Sequence, residues 1–381
     1  MSGALRVLVV DDSVVHRQTI SDVLRGAEGV EIVGKAANGE EALRMVSILH
    51  PDLITLDLEM PRMDGYTFLR ILNARDPMPV IVISSQSQRE NVFKALELGA
   101  LDFVARPAPG PSEVAAFREE LLAKVQVVRS LRPVKRPSAR PAPAAGTAAN
   151  AGATVGSDVP AISSEPPPSR LRTTTGLQPV ARPARPMSPQ RQPRRLVVIA
   201  SSTGGPQAVM DLVGRLQGTT QNAFIIAQHM PERFTRTFAE RLNRRAAIPV
   251  TEGEDGSLVE AGTVWICAGS RATEVSIDPA TGIPRLVVVA PDAADKYVPS
   301  ADRLFRSAAA AVGARVTAVI ITGMGDDGAI GIAAVKRAGG EVWVEAQESA
   351  IVDGMPAAAR RTGLADTVAP LHSLISRLVM L

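Results

Sequence analysis

Five times within its first 130 residues the chain repeats one pattern: a short apolar run, a polar or acidic break, then a stretch with helical apolar spacing. The runs are Leu5–Val10, Glu31–Ala36, Asp52–Leu56, Val80–Ile83 and Asp102–Val104. The spacing predicts helices over about 13–25, 40–49, 64–73, 88–98 and 112–130, the last capped by Ser112. A helix between successive strands returns the chain to the same edge each time, so the strands run parallel and both faces of the sheet are covered. The alternation resumes at Leu196, with strands predicted over 196–200, 223–227, 318–322 and 341–344. Helices follow over about 206–216, 232–244, 301–312 and 329–338, and a last one ends the chain. Between them, Val264–Cys267 and Leu286–Val289 are short apolar pieces broken by Gly and Asp, which read as hairpins set into the α/β pattern. The expected fold is α/β, with two doubly wound parallel-sheet domains over residues 1–130 and 195–381.

The two are separated by residues 131–194, which hold 13 of the 29 prolines among Ala, Arg, Ser, Thr and Gly with no sustained period. Such a composition cannot bury enough surface to fold, so this stretch reads as a disordered, semi-extended linker. It also explains the high isoelectric point near 9.3. Residues 131–195 carry a net charge of +9 and the rest of the chain −6. The folded parts are therefore mildly acidic, which argues against nucleic-acid binding. A single cysteine, Cys267, excludes an intrachain disulfide and suits a reducing compartment. No apolar run approaches the ~18 residues of a membrane helix, and Met1–Leu5 leads into a strand rather than a signal peptide, so a soluble, cytoplasmic protein is expected.

In parallel α/β sheets ligands gather beyond the carboxyl ends of the strands. Asp11, Asp12, Asp57, Ser84 and Arg106 all fall there. Three carboxylates at one edge repel one another unless a hard divalent cation such as Mg²⁺ shares them. A carboxylate beside such an ion can attack a phosphoryl group, with a hydroxyl and a cation nearby for the transferring oxygens. Over about residues 5–130 the chain closely resembles a response-regulator receiver domain, a flavodoxin-like fold. The resemblance rests on Val9-Val10-Asp11-Asp12-Ser13, on Leu56-Asp57 through Asp64-Gly65, on Ser84-Ser85, and on Gly99 through Pro107. It implies that Asp57 is the phosphoacceptor, that Asp11, Asp12 and the Glu59 carbonyl help hold Mg²⁺, and that Ser84, Phe103 and Arg106 form the switch. The family carries lysine where Arg106 stands; arginine keeps the charge but changes reach and donor geometry.

The second half opens on Leu196-Val197-Val198-Ile199-Ala200-Ser201-Ser202-Thr203-Gly204-Gly205-Pro206, an apolar strand running into two serines and a glycine turn before a helix. That arrangement holds a hydroxyl over backbone N–H groups. His229 and Asp327 each follow a predicted parallel strand, so a doubly wound sheet can bring them to Ser202 as nucleophile, base and orienting carboxylate. Of the four histidines, His16 and His50 lie in the first domain and His372 in the last helix, so if a histidine base exists it is His229; a lone histidine after a strand can equally be a structural residue. Asp327 could equally cap the helix that follows it. Glycines around Met324 let backbone N–H groups approach an oxyanion. The Gly-x-Ser-x-Gly elbow of α/β-hydrolases is absent, as are Gly-x-Gly-x-x-Gly and a Walker lysine that a nucleotide-binding reading would need.

Residues 195–381 resemble the catalytic domain of the chemotaxis protein-glutamate methylesterases, which also deamidate receptor glutamines. The matching pieces are Ser201–Gly205, Gln228–Pro231, Pro299-Ser300 with Leu304–Ser307, Thr322–Gly328 and Gly354–Pro356. The resemblance implies Ser202 as nucleophile, His229 as general base and acid, and Asp327 as its orienting carboxylate, with Thr203, Gly204 and Met324 by the oxyanion and substrate. It further implies methyl-accepting chemoreceptor helices as substrate, a chemotaxis-type histidine kinase as phosphodonor, no cofactor for the ester chemistry, and a receiver that covers the active-site edge until phosphorylated. Three positions depart from the pattern. Asp326 stands where some members have Asn and is expected to disturb His229 through its charge. Ala272 stands where His is common, and Asp353 where an apolar residue is usual; both are expected near the substrate face. A catalytically impaired, receiver-linked interaction module is the alternative reading.

Overall fold

The apolar runs become strands because their side chains are taken from water on both faces of a sheet, the environment that near-continuous Val, Ile and Leu suit. A computed structural model describes residues 4–85, 89–107, 110–130 and 192–381. The stretch read as a linker lies outside these residues apart from 192–194. The first domain runs β1 (Leu5–Val10), α1 (Val14–Arg25), β2 (Val30–Ala36), α2 (Gly39–Leu49), β3 (Leu53–Leu56), α3 (Gly65–Arg75), β4 (Val80–Ser84), α4 (Arg89–Glu97), β5 (Asp102–Ala105) and α5 (Pro111–Ser130). Its five strands are parallel in the order β2-β1-β3-β4-β5. Polar residues after the strands start the helices: Ser13 accepts from His16 N, Asn38 from Glu41 N and Asp64 from Thr67 N. Ser112 does not cap α5. Pro111 already opens that helix, a position where its missing N–H costs nothing.

The second domain contains β6 (Leu196–Ser201), α6 (Gly205–Arg215), β7 (Ala223–Gln228), α7 (Glu232–Arg245), β8 (Val250–Glu252), β9 (Val264–Ile266), β10 (Ala272–Ile277), β11 (Pro284–Val289), α8 (Ala301–Val312) and β12 (Val316–Ile320). It closes with α9 (Ile332–Arg337), β13 (Glu341–Glu345), α10 (Gly354–Arg361), β14 (Thr367–Ala369) and α11 (Leu371–Met380). Seven parallel strands form one sheet, ordered β14-β13-β12-β6-β7-β9-β8. The order reverses direction at β6, which lies between β12 and β7; this is the switch point at which a crevice opens beyond the strand ends.

Several expected elements shift. Among the described residues only β10 and β11 form a hairpin; Val264–Ile266 is an interior strand, parallel to Phe224–Ile226 on one side and to β8 on the other. The strand expected over 318–322 ends at Ile320, because Thr322 N leaves the ladder to donate to the Glu345 carboxylate at 2.7 Å. The helix expected from 329 starts at Ile332, after Gly328 in the left-handed region. The end of the chain holds two helices with a short edge strand between them, where one helix was expected.

The two domains share apolar surface. Phe93 of α4 and Phe103 of β5 meet Phe234 and Phe238 of α7, with Phe103–Phe234 centroids 4.6 Å apart and Phe93–Phe238 5.1 Å apart. All four rings are buried. Beside them Glu97 accepts from Arg241 Nε at 3.0 Å and Nη2 at 2.7 Å, and Arg245 approaches to 2.5 Å. Burial alone would push Glu97 up, but its hydrogen bonds and charge pairing with Arg241 and then Arg245 outweigh that and hold it below the usual carboxylate range.

Candidate active site and phosphoacceptor site

Ser202 is the first residue past β6, and His229 the first past the neighbouring β7. Ser201 pairs with Gln228 in the register, and His229 N donates to Ser201 O at 3.0 Å, so Ser202 and His229 leave adjacent strands side by side. The two serines differ sharply in environment. Ser201 is fully buried and donates its hydroxyl to Gln228 Oε1 at 2.7 Å. Gln228 in turn donates to the carbonyls of Ser202 and His229, both at 3.0 Å, tying the two turns together. Among the described residues no side-chain hydrogen bond engages the Ser202 hydroxyl, and none joins it to His229. Such contacts are commonly long without a substrate.

The turn after Ser202 is built for close approach. Gly205 N donates to Ser202 O at 2.8 Å, and Gly204 has φ +77° at the start of α6, where a Cβ would crowd Ile351 and the Thr322 hydroxyl. Ser202 N donates to Thr322 O at 3.1 Å, and a Cβ on Gly323 would strike Ser202. The loop carrying Met324 therefore lies directly against the Ser202 turn. Met324 itself is 36% exposed and Thr203 is buried.

His229 Nε2 lies 2.8 Å from Asp327 Oδ2, with Asp327 buried and the histidine side chain 15% exposed. Asp327 also accepts from Ala301 N at 2.8 Å and Asp302 N at 3.0 Å. It thus sits on the amino terminus of α8, where unpaired N–H groups and the helix dipole favour an anion. Asp327 does not cap the helix that follows it, which starts at Ile332 after Gly331; its N–H donors come from the first turn of α8 instead.

Asp326 has partners of its own. Its carboxylate accepts from Lys296 Nζ at 2.8 Å and from the Tyr297 hydroxyl at 2.9 Å, and these partners, Lys296 first, hold it below the usual range. Its charge is paired with the Lys296 ammonium. Ala272 is buried at the start of the hairpin, opposite Val289; Asp353 is paired with Arg360 at 2.6 Å, and its backbone bridges Gly323 beside Met324. Sequence reasoning missed Tyr297, whose ring stacks on His229 with centroids 5.1 Å apart and planes 8° apart. It also missed Glu345, fully buried, which accepts from Thr322 N at 2.7 Å and from the Ser349 hydroxyl at 2.8 Å. Desolvation raises the Glu345 carboxyl above its ordinary value. No local motif marks either residue; each acts across the fold.

At the edge of the first sheet, Asp11, Asp12 and Asp57 offer carboxylate oxygens within 4.8 Å of one another. Asp11 and Asp57 are buried and Asp12 is exposed. Burial, and then the charge of Asp57, raise Asp11 even though Arg106 opposes them. Arg106 Nη2 stands 3.0 Å from Asp11 and 3.3 Å from Asp57, bridging the two. An all-oxygen, mutually repelling set fits a hard cation such as Mg²⁺. The Glu59 side chain does not join it; it faces Asn91 at 3.5 Å. Ser84 is buried at the end of β4, and Phe103 on β5 faces the α7 rings. No helix among the described residues is long and apolar enough to cross a membrane.

Comparison with known proteins identifies the family. Residues 197–378 match the CheB methylesterase family and residues 7–116 the response regulator receiver domain. The chain is 44% identical over 379 residues to protein-glutamate methylesterase/protein-glutamine glutaminase 6 of Anaeromyxobacter dehalogenans, covering 98% of this chain and 95% of that one. It is 42% identical over 373 residues to the corresponding protein 1 of Myxococcus xanthus, with the same shares covered. Protein 3 of Geobacter sulfurreducens is 40% identical over 389 residues, covering 98% of this chain and 96% of its own. With relatives this similar along almost its whole length, the chain belongs to the protein-glutamate methylesterase/protein-glutamine glutaminase family.

Proposed function

We infer that this chain is a phosphorylation-regulated serine hydrolase that removes methyl esters from glutamates of chemoreceptors and deamidates their glutamines. The observation that carries the reading is the His229–Asp327 hydrogen bond at 2.8 Å beside a serine on the adjoining strand end. In this reading Ser202 attacks the γ-carbonyl of the side chain. Asp327 fixes His229 through Nε2, which leaves Nδ1 to take the serine proton and return it to methanol, or to ammonia from a glutamine. Backbone N–H groups of the glycine-flanked turn around Met324 are the proposed donors for the oxyanion. Water admitted by His229 then releases glutamate. Thr203 and Gly204 shape the floor of this turn.

Asp57 is the proposed phosphoacceptor, with Asp11, Asp12 and Asp57 as the carboxylates that would hold Mg²⁺. When bound, the ion neutralises the oxygens of the incoming phosphoryl group. In this reading Arg106 and the Ser84 hydroxyl follow that group, and Phe103 passes the change to α7. The receiver grips α7, the helix that begins just after His229, so loosening the Phe and Glu97 contacts changes the support of the base. The proposed partners are chemoreceptor helices and a chemotaxis-type histidine kinase, in the cytoplasm. No cofactor is assigned to the ester chemistry. Methanol release from methylated receptor tests the reading: Ser202→Ala is expected to abolish it, and phosphodonor with Mg²⁺ to raise it in the wild type. Full activity in Ser202→Ala would sink the serine assignment, and indifference to phosphodonor the regulatory one.

A further inference from the structure

His229 is tied to Asp327 by one hydrogen bond, which fixes one ring atom but leaves the ring plane free to rock. The freedom is removed from the open side by Tyr297, stacked on the imidazole at 5.1 Å with an 8° tilt. A near-parallel pair at that separation is an attractive offset stack. The tyrosine is itself held. Its hydroxyl donates to Asp326 Oδ1 at 2.9 Å, Lys296 reaches the same oxygen at 2.8 Å, and the ammonium lies 4.9 Å from the ring centroid. Gly325, at φ +89°, is required where it stands, since a Cβ there would run into the Tyr297 hydroxyl. Four and five residues after Tyr297, the same segment delivers Ala301 and Asp302, whose N–H groups hold Asp327. One stretch of chain therefore presses on the face of His229 and on its carboxylate together.

We propose that Tyr297 is a positioning residue for His229, its ring setting the imidazole plane toward Ser202 while the Lys296–Asp326 pair anchors its hydroxyl. The proposal rests on His229 being the base. A base held out of line loses rate without losing substrate affinity, so the effect falls on kcat. Phenylalanine keeps the stack and loses only the anchor; leucine keeps apolar bulk and loses the stack.

Full-length wild type, Tyr297→Phe, Tyr297→Leu and Ser202→Ala are compared for kcat and KM on methylated receptor, with thermal melting and the NMR shifts of the His229 ring protons. Tyr297→Leu is expected to lower kcat roughly tenfold at unchanged KM and to lose the upfield ring-current shift, while Tyr297→Phe retains the shift and stays within about threefold of wild-type kcat. Wild-type kcat in Tyr297→Leu, or a Tyr297→Phe as slow as Tyr297→Leu, overturns the proposal. Activity persisting in Ser202→Ala would instead count against the serine mechanism, and the ring shift would still report the stack. Should Tyr297→Leu fail to fold, Asp326→Ala carries the test. It is expected to lower kcat by about two- to fivefold, with no further loss on adding Tyr297→Phe, since both remove one hydrogen bond. Fully additive losses would overturn the anchoring.

Discussion

Asp327 does two jobs with two oxygens: Oδ2 meets His229 and Ala301 N, and Oδ1 meets Asp302 N. Asp327→Asn keeps an acceptor but can present an amide to His229 and so favour the wrong tautomer; kcat is expected to fall by on the order of 10³–10⁴ with little change in melting temperature. Glu345 is the converse case, a buried carboxyl whose raised value is a cost at neutral pH. Because its folded value lies above the unfolded one, stability is full below the ordinary value of 4.5 and declines as pH rises through the folded value. Glu345→Gln can accept from Thr322 N and donate to the Ser349 hydroxyl. It is therefore expected to melt higher than wild type at pH 7, with the gap closing as pH falls toward 4.5; melting curves across pH check this. Glu345→Ala, which frees Thr322 N and leaves a void, is expected to lose about 2–4 kcal/mol by denaturant titration.

Helix α7 is the proposed link between regulation and chemistry, since it starts three residues after His229 and carries Phe234, Phe238, Arg241 and Arg245 toward the receiver. Glu97 sits below the usual carboxylate range, so its pairing is present above the ordinary 4.5 and is lost only as pH falls through the lowered value. The clamp is therefore intact at neutral pH and must be opened by something other than titration. Glu97→Gln removes it, and basal methanol release without phosphodonor is expected to rise several-fold, with a smaller further gain on phosphorylation. Unchanged basal activity would place control elsewhere than α4.

At the scale of the molecule, the receiver and the hydrolase part share one apolar cluster in which Phe93, Phe103, Phe234 and Phe238 are all buried. Burying four aromatic rings stabilises by more than an exposed ion pair can, so the union should survive a break in the covalent connection. A protease site engineered within residues 131–191 is expected, after cleavage, to leave the two fragments co-eluting on gel filtration. Phosphodonor with Mg²⁺ is expected to separate them. Fragments that part before phosphorylation would contradict a docked resting state.

Sequence alone determined the parts that local physics fixes. The strand–helix alternation, the acidic edge at Asp11, Asp12 and Asp57, and the Ser202 turn are all written in short stretches, because period and turn chemistry act over a few residues. The same is true of His229, made conspicuous by the scarcity of histidines. What only the tertiary structure decided depends on residues distant in the chain. Val264–Ile266 became an interior strand because Phe224–Ile226 lay open to pair with it. Asp326 is held by Lys296 and Tyr297, which come from a different segment of the chain. Glu345 and Tyr297 bear on the site from other strands and loops, and no spacing rule joins them to Ser202. Side-chain burial and through-space hydrogen bonding are settled by packing, and packing is a property of the assembled chain.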